Sequence, residues 1–266
     1  MSVQDVQARI DELSAEIERQ KEVLNQLACD KAAAQRQLNA LRDPIAQLPL
    51  ELSSEIFLQC FDRALPRPDP STAPMLLLNI CNAWANIALS TPALWAAIFI
   101  ERPCHALLRI WLQRARDHPL SVSYNRVGES NNEVAVLGKY SKQLKQLGIF
   151  TQGLHHLNPF LAFGPLPCLE TLEIGRSPDY GFHEVSITGV IDLLRLAPNL
   201  VEYTHSIATR IDYNEQEAVI LPNLHTLNFK AGGDDDLLRY ISLPSLERLS
   251  LRLTAVDDLV LFLKRN

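Results

Sequence analysis

PCLETLEI (167–174), PNLHTLNF (222–229) and PSLERLSL (244–251) share one pattern, P-x-L-x-x-L-x-[LIF]. KQLKQLGI (142–149) matches it without the proline. PNLVEYTHS (198–206) keeps Leu200 and Tyr203 but carries His205 at the third apolar site. The second half of each segment alternates apolar and polar residues, the period of a strand with one face buried. The first leucines (Leu144, Leu169, Leu200, Leu224, Leu246) lie 25, 31, 24 and 22 residues apart.

Those intervals are the period of a leucine-rich repeat. The intervening stretches read as helices where they are long enough. Thr188–Leu196 and Asp234–Ile241 begin with hydroxyl or acidic residues and continue with apolar ones. Asp234-Asp235-Asp236 reads as capping and dipole compensation, with a metal site as the weaker alternative. Upstream, Leu107–Arg116 is helical and Leu120–Tyr124 strand-like, an imperfect first repeat. Residues 102–266 are therefore expected to form an irregular leucine-rich-repeat α/β solenoid. Its apolar positions point inward, and Gln146, Thr171, Glu173, Glu202, Thr204, Thr226, Asn228, Arg248 and Ser250 line the open face. Glu173, Glu202, Asn228 and Arg248 are the candidate residues for holding a protein substrate; the alternative is a solvated face without a ligand. Thr254–Asn266 reads as one more repeat helix with no capping element after it, which predicts a shortened product or a surface closed by a partner.

N-terminal to this array, LPLELSSEIFLQCFDRAL (48–65) reads as a helix. Pro49 suits its first turn, and Glu51 complements its dipole. Leu52, Ile56, Phe57, Cys60, Phe61, Ala64 and Leu65 cover a wider arc than one buried stripe needs, so part faces its own module and part a partner. PRPDPSTAP (66–74), four of its nine residues proline, is an extended loop. A second helix is expected over Met75–Leu89. Thr91 and Pro92 start a short third helix through Trp95, and Ala97–Glu101 leaves it as a strand. LPLELSSEIF followed by ICNAWANIALSTPALWAAI resembles the F-box domain, in the form common in fungal proteins of the mushroom group. Asn82-Ala83 and Asn86 depart from it where that family carries basic residues. The resemblance covers residues 45–100, and the repeats after it resemble the degenerate leucine-rich repeats that follow F-boxes in that family. It implies a non-catalytic substrate receptor of a cullin-type ubiquitin ligase. Leu48, Pro49, Leu52, Ile56 and Phe57 would dock a Skp-type adaptor and, through it, the cullin. A helix offering apolar anchors to a groove is a common recognition mode. One alternative is that these residues fill the core of a self-sufficient domain; another is a coiled-coil and repeat scaffold with no ligase role, its helix bundle capping the N-terminal edge of the repeats.

Residues 3–42 contain neither proline nor glycine. With Val3 at heptad position a, the a sites are Val3, Ile10, Ile17, Leu24, Lys31 and Leu38. The d sites are Val6, Leu13, Gln20, Leu27, Ala34 and Leu41. Ten of these twelve are apolar, the 3.5-residue period of a coiled coil. Residues 1–43 are thus expected to be a coiled-coil helix that ends at Asp43-Pro44. One reading is parallel self-association, with Gln20 and Lys31 disfavouring wrong registers. The others are a helix packed back on its own domain and an arm that folds on a partner.

The 266 residues are 47% hydrophobic and 21% charged, which excludes wholesale disorder. A net charge of -6 argues against a basic nucleic-acid or membrane surface. No apolar run is long enough to span a membrane, and the charged first thirty residues exclude a signal peptide. Cys29, Cys60, Cys81, Cys104 and Cys168 are odd in number and scattered, as expected of buried thiols in the cytoplasm or nucleus. Phosphate-binding, hydrolase and metalloprotease motifs are missing. Gly232-Gly233 reads as a turn, and the adjacent His155-His156 would point apart in a strand. No cofactor, metal or catalytic residue is expected.

Overall fold

The computed structural model describes residues 3–61, 65–102, 104–127, 132–151, 157–176, 184–210, 217–230, 235–251 and 262. His155-His156, Gly232-Gly233, Asp234 and most of the expected last helix lie outside them.

Helix α1 (Val3–Arg42) runs through all the expected heptads. Pairs one turn apart, including Arg9–Glu12 at 2.7 Å, Glu16–Arg19 at 2.6 Å and Glu18–Lys21 at 2.6 Å, line its surface. Each is worth only a few tenths of a kcal/mol. Its described side chains up to Leu38 stay exposed or half-exposed, so the helix does not pack back on its own domain. Asp43 follows its last residue, and its carboxylate, which also lies 3.9 Å from the Cys81 thiol, ties the helix end to the next module. One carboxylate oxygen accepts from the Ile45 N–H at 2.9 Å, and the other accepts from Trp84 Nε1.

The small module consists of α2 (Leu50–Gln59), α3 (Leu77–Ile80) and α4 (Asn82–Leu89). The expected second helix is thus interrupted: Cys81 is buried in an extended conformation (φ −156°, ψ 170°) and separates α3 from α4. A 3-10 turn, Pro92–Trp95, takes the place of the third helix. Trp95 is fully buried, donates to the Ala88 carbonyl at 2.9 Å, and meets Trp111 edge-on at 5.0 Å.

The remaining elements follow in order: β1 (Ala97–Ile100), α5 (His105–Ala115), β2 (Leu120–Val127), α6 (Asn132–Gly138), β3 (Leu144–Thr151), α7 (Asn158–Leu161) and β4 (Thr171–Arg176). After them come β5 (Glu184–Ser186), α8 (Ile187–Arg195), β6 (Glu202–Ser206), β7 (Ala208–Arg210), β8 (Val219–Ile220), β9 (Thr226–Phe229), β10 (Ile241–Ser242) and β11 (Arg248–Leu251). Strands β1, β2, β3, β4, β6, β9 and β11 form one parallel seven-stranded sheet in chain order. Two-stranded sheets β5–β7 and β8–β10 lie outside it.

This architecture corrects the fold expected for residues 102–266. The leucine-rich-repeat solenoid is not what forms; the chain builds a continuous parallel sheet with helices, an α/β arrangement. The alternation in the repeated segments dictates strands, and parallel strands need crossovers. It does not dictate a uniform crossover. The connections here are unlike one another: α5, α6, α8 capped by the Ser186 hydroxyl, and the 3-10 turn Asp235–Tyr240. The sheet also begins outside the repeats, at β1, which continues directly from the Trp95 turn.

Two rows of apolar side chains run beneath the sheet. One is Ile98, Val122, Leu147, Leu172, Tyr203, Leu227 and Leu249 in register; the other is Ile100, Tyr124, Ile149, Ile174, His205, Phe229 and Leu251. All but the last member of each row are buried. On the opposite face, a Cβ at Gly175 would come within 2.9 Å of the Phe150 ring and of Ser206 Oγ. The missing side chain is what lets Phe150 lie across the strand. Gly175→Val is expected to cost about 1–3 kcal/mol in urea unfolding. Adding Phe150→Ala should recover part of that loss.

Candidate functional surfaces

Helix α2 sorts its residues by helical period. Ser53 and Phe57, four apart, face inward. Ser53 is buried, and its hydroxyl donates to the Ile45 carbonyl at 3.2 Å and the Pro49 carbonyl at 3.1 Å. Phe57 is buried against Trp84, ring centroids 4.9 Å apart. Leu52 (54% exposed) and Ile56 (38%) lie on the neighbouring, outward stripe, with Leu48 (40%) and Pro49 at its start. Of the five residues marked for adaptor binding, four therefore share an open apolar edge, and Phe57 anchors that edge from inside. Leu50, 46% exposed, is a further apolar residue at the surface of this helix and was not singled out from the sequence. Its position two residues before Leu52 carries no helical signal.

The second surface is the upper face of the sheet. Its polar residues stand in two rows that cross neighbouring strands. Ser121, Gln146, Thr171, Glu202, Thr226 and Arg248 are in register, as are Ser123, Gly148, Glu173, Thr204, Asn228 and Ser250. The four candidate substrate residues thus share one face. Glu173, Glu202 and Asn228 are half-buried and Arg248 is exposed. The Asn228 amide donates to Glu202 Oε1 at 3.2 Å and to Thr204 Oγ1 at 3.4 Å, which fixes the centre of the face. Ser121 and Ser123 extend both rows and were missed, although the alternation of LSVSY carries them.

An ordered margin borders this face where the strands begin. Lys145 pairs with Glu170 at 3.1 Å. The Asn199 amide donates to the Pro167 carbonyl at 2.9 Å, and the Asn223 amide to Asn199 Oδ1 at 3.2 Å. The asparagines following the repeated prolines therefore stitch successive segments together. They build a margin, along which the free thiol of Cys168 and the His225 imidazole also lie.

Among the described residues no cluster of metal-ligating side chains exists, and no helix is long and apolar enough to cross a membrane. The thiols depart from expectation. Cys29, Cys60 and Cys168 are exposed, while Cys81 is buried and Cys104 half-buried; all five are free. Burial, with a smaller contribution from Glu133, pushes the Cys104 thiol up to about 11, away from nucleophilic use at neutral pH.

No protein-family model, curated protein or solved structure matches this chain.

One titratable group sits inside the sheet's core. His205 fills the third apolar site of its segment, fully buried, stacked on Phe229 at 4.9 Å, with Nδ1 2.7 Å from Tyr203 Oη. Burial lowers it to about 4 from its ordinary 6.5, against a smaller opposing effect of the Ile207 backbone. The folded state therefore holds neutral histidine. As pH falls below about 6.5, the unfolded chain takes up a proton that the folded chain refuses, so stability drops until about pH 4. Between pH 7.5 and pH 5 the loss from this group should be about 2 kcal/mol. Replacing both partners, Tyr203→Phe with His205→Phe, should remove that component from urea midpoints measured at the two pH values.

Proposed function

We propose that this chain is a non-catalytic substrate receptor of a cullin-type ubiquitin ligase. Leu48, Pro49, Leu52 and Ile56 dock a Skp-type adaptor, and the polar sheet face bearing Glu173, Glu202, Asn228 and Arg248 holds a protein substrate. The adaptor links the chain to the cullin, and the work would take place in the cytoplasm or nucleus. The observation that carries the reading is the open apolar edge of α2 on residues that resemble the F-box domain. Leucines and isoleucines kept in water next to one another cost free energy unless a partner covers them. A few such anchors supply most of an interface's energy. The receptor acts by proximity: held on one body with the ligase, a substrate is presented at high effective concentration.

The scaffold reading rests on a different observation. The module shares its core with the sheet through Trp95 and Trp111, and the Pro66 carbonyl after α2 accepts the Phe99 N–H at 2.8 Å on the free edge of β1. These contacts use other residues than the α2 edge, and the two roles are compatible.

Co-purification of the full chain with a recombinant Skp-type adaptor tests the reading. The parent should capture the adaptor stoichiometrically. Leu52→Glu with Ile56→Glu, both outward-facing and expected to leave circular dichroism unchanged, should weaken capture more than a hundredfold. A folded parent that captures none overturns the proposal.

A further inference from the structure

Helix α1 carries an apolar stripe that no described residue of its own chain covers. Val3, Val6, Ile10, Leu13, Ile17, Leu24, Leu27 and Leu38 are between 41% and 87% exposed, all at heptad a or d positions. A lone 40-residue helix is held in water only by weak surface pairs, and its stripe stays wet. We propose that the occupant of this stripe is a second copy of the chain, paired parallel and in register as a two-stranded coiled coil. This inference is independent of adaptor docking.

Charge and polarity along α1 select the copy and its direction. In a parallel, in-register pair each g residue meets the e residue five positions on in its partner. Glu16 then faces Lys21 of the second copy, and Lys21 faces its Glu16. Val23 meets Ala28, widening the apolar seam, and no such pair sets like charges together. The two polar core sites also match. Gln20 meets Gln20, and Lys31 meets Lys31 with Asp30 of the second copy beside each to offset the like charges. The full-length antiparallel alignment sets a against d. Gln20 then faces Leu24, Lys31 faces Leu13, Glu16 faces Asp30 and Lys21 faces Lys21. An antiparallel alignment shifted by one heptad pairs Gln20 with Lys31 but leaves Val3 and Val6 uncovered and loses the Glu16–Lys21 pairs. β-Branched Val3, Ile10 and Ile17 at a, with Leu13, Leu27 and Leu41 at d, favour two strands over three or four.

A parallel pair places both Asp43–Trp84 junctions at the same end of the rod. Two modules then present their α2 edges side by side, with the rod on the order of 60 Å long.

Sedimentation equilibrium of the full chain across a micromolar concentration series is the test. The parent should sediment at twice the chain's mass. Glu16→Lys should weaken dimerisation roughly tenfold, because it faces Lys21 twice, once on each side. Glu16→Lys with Lys21→Glu should restore it. Losses within one chain, such as the Glu16–Arg19 pair, would persist in the double variant, so restoration reads the contact between chains. Monomeric parent protein overturns the proposal, and so does a trimer or tetramer. A dimer that Glu16→Lys leaves unchanged or tightens is antiparallel, and that also overturns it.

Discussion

The registration of seven parallel strands is the constraint on which the rest depends. Side chains alternate across a strand, so a slip of one residue would bring Glu173, Glu202 and Asn228 into the core and expose Leu172, Tyr203 and Leu227. The two apolar rows hold the register along their whole length. Fully burying each of those leucines and isoleucines contributes roughly 1.5–3 kcal/mol relative to leaving it in water. Order on the polar face is therefore inherited from the core: the rows above are straight because the rows below are packed. Gly148 interrupts one polar row where Ser123 needs the space, and Gly175, in the next row, leaves room for Phe150.

The strands were legible because their alternation is local and strong, and because the repeated proline–leucine start sets each one off. Even the imperfect segment resolved consistently. His205 takes the apolar site because Tyr203 satisfies one ring nitrogen and Phe229 stacks on its face. The connections were not legible. Whether a crossover becomes α8, a 3-10 turn or a short outlying strand depends on contacts formed after the sheet exists. A uniform solenoid was accordingly the wrong extrapolation from a correct pattern. The break at Cys81 was also hidden, since Leu78, Cys81, Trp84, Ala85 and Ala88 satisfy helical spacing on either side of it.

On α2 the apolar arc was too wide for its sequence to say which part faces in. The answer lies in partners distant in the chain: Trp84 receives Phe57, and the carbonyls of Ile45 and Pro49 receive the Ser53 hydroxyl. Once those two residues are committed inward, Leu48, Leu52 and Ile56 are left at the surface. Asp43 was readable as a helix stop. Its second role, accepting the Trp84 indole N–H and so joining α1 to the module, needs the tertiary structure. The molecule thus separates three tasks: a helix with an uncovered seam, a module with an uncovered edge, and a sheet with a polar face. None of the three uses the surface of another.

Hydrogen–deuterium exchange of the full chain, with and without a recombinant Skp-type adaptor, tests the central claim most directly. The account predicts that the adaptor slows exchange across residues 48–59 while strands β4, β6 and β9 keep their rates. Unchanged exchange over 48–59 at saturating adaptor, or slowing confined to the sheet, would contradict it.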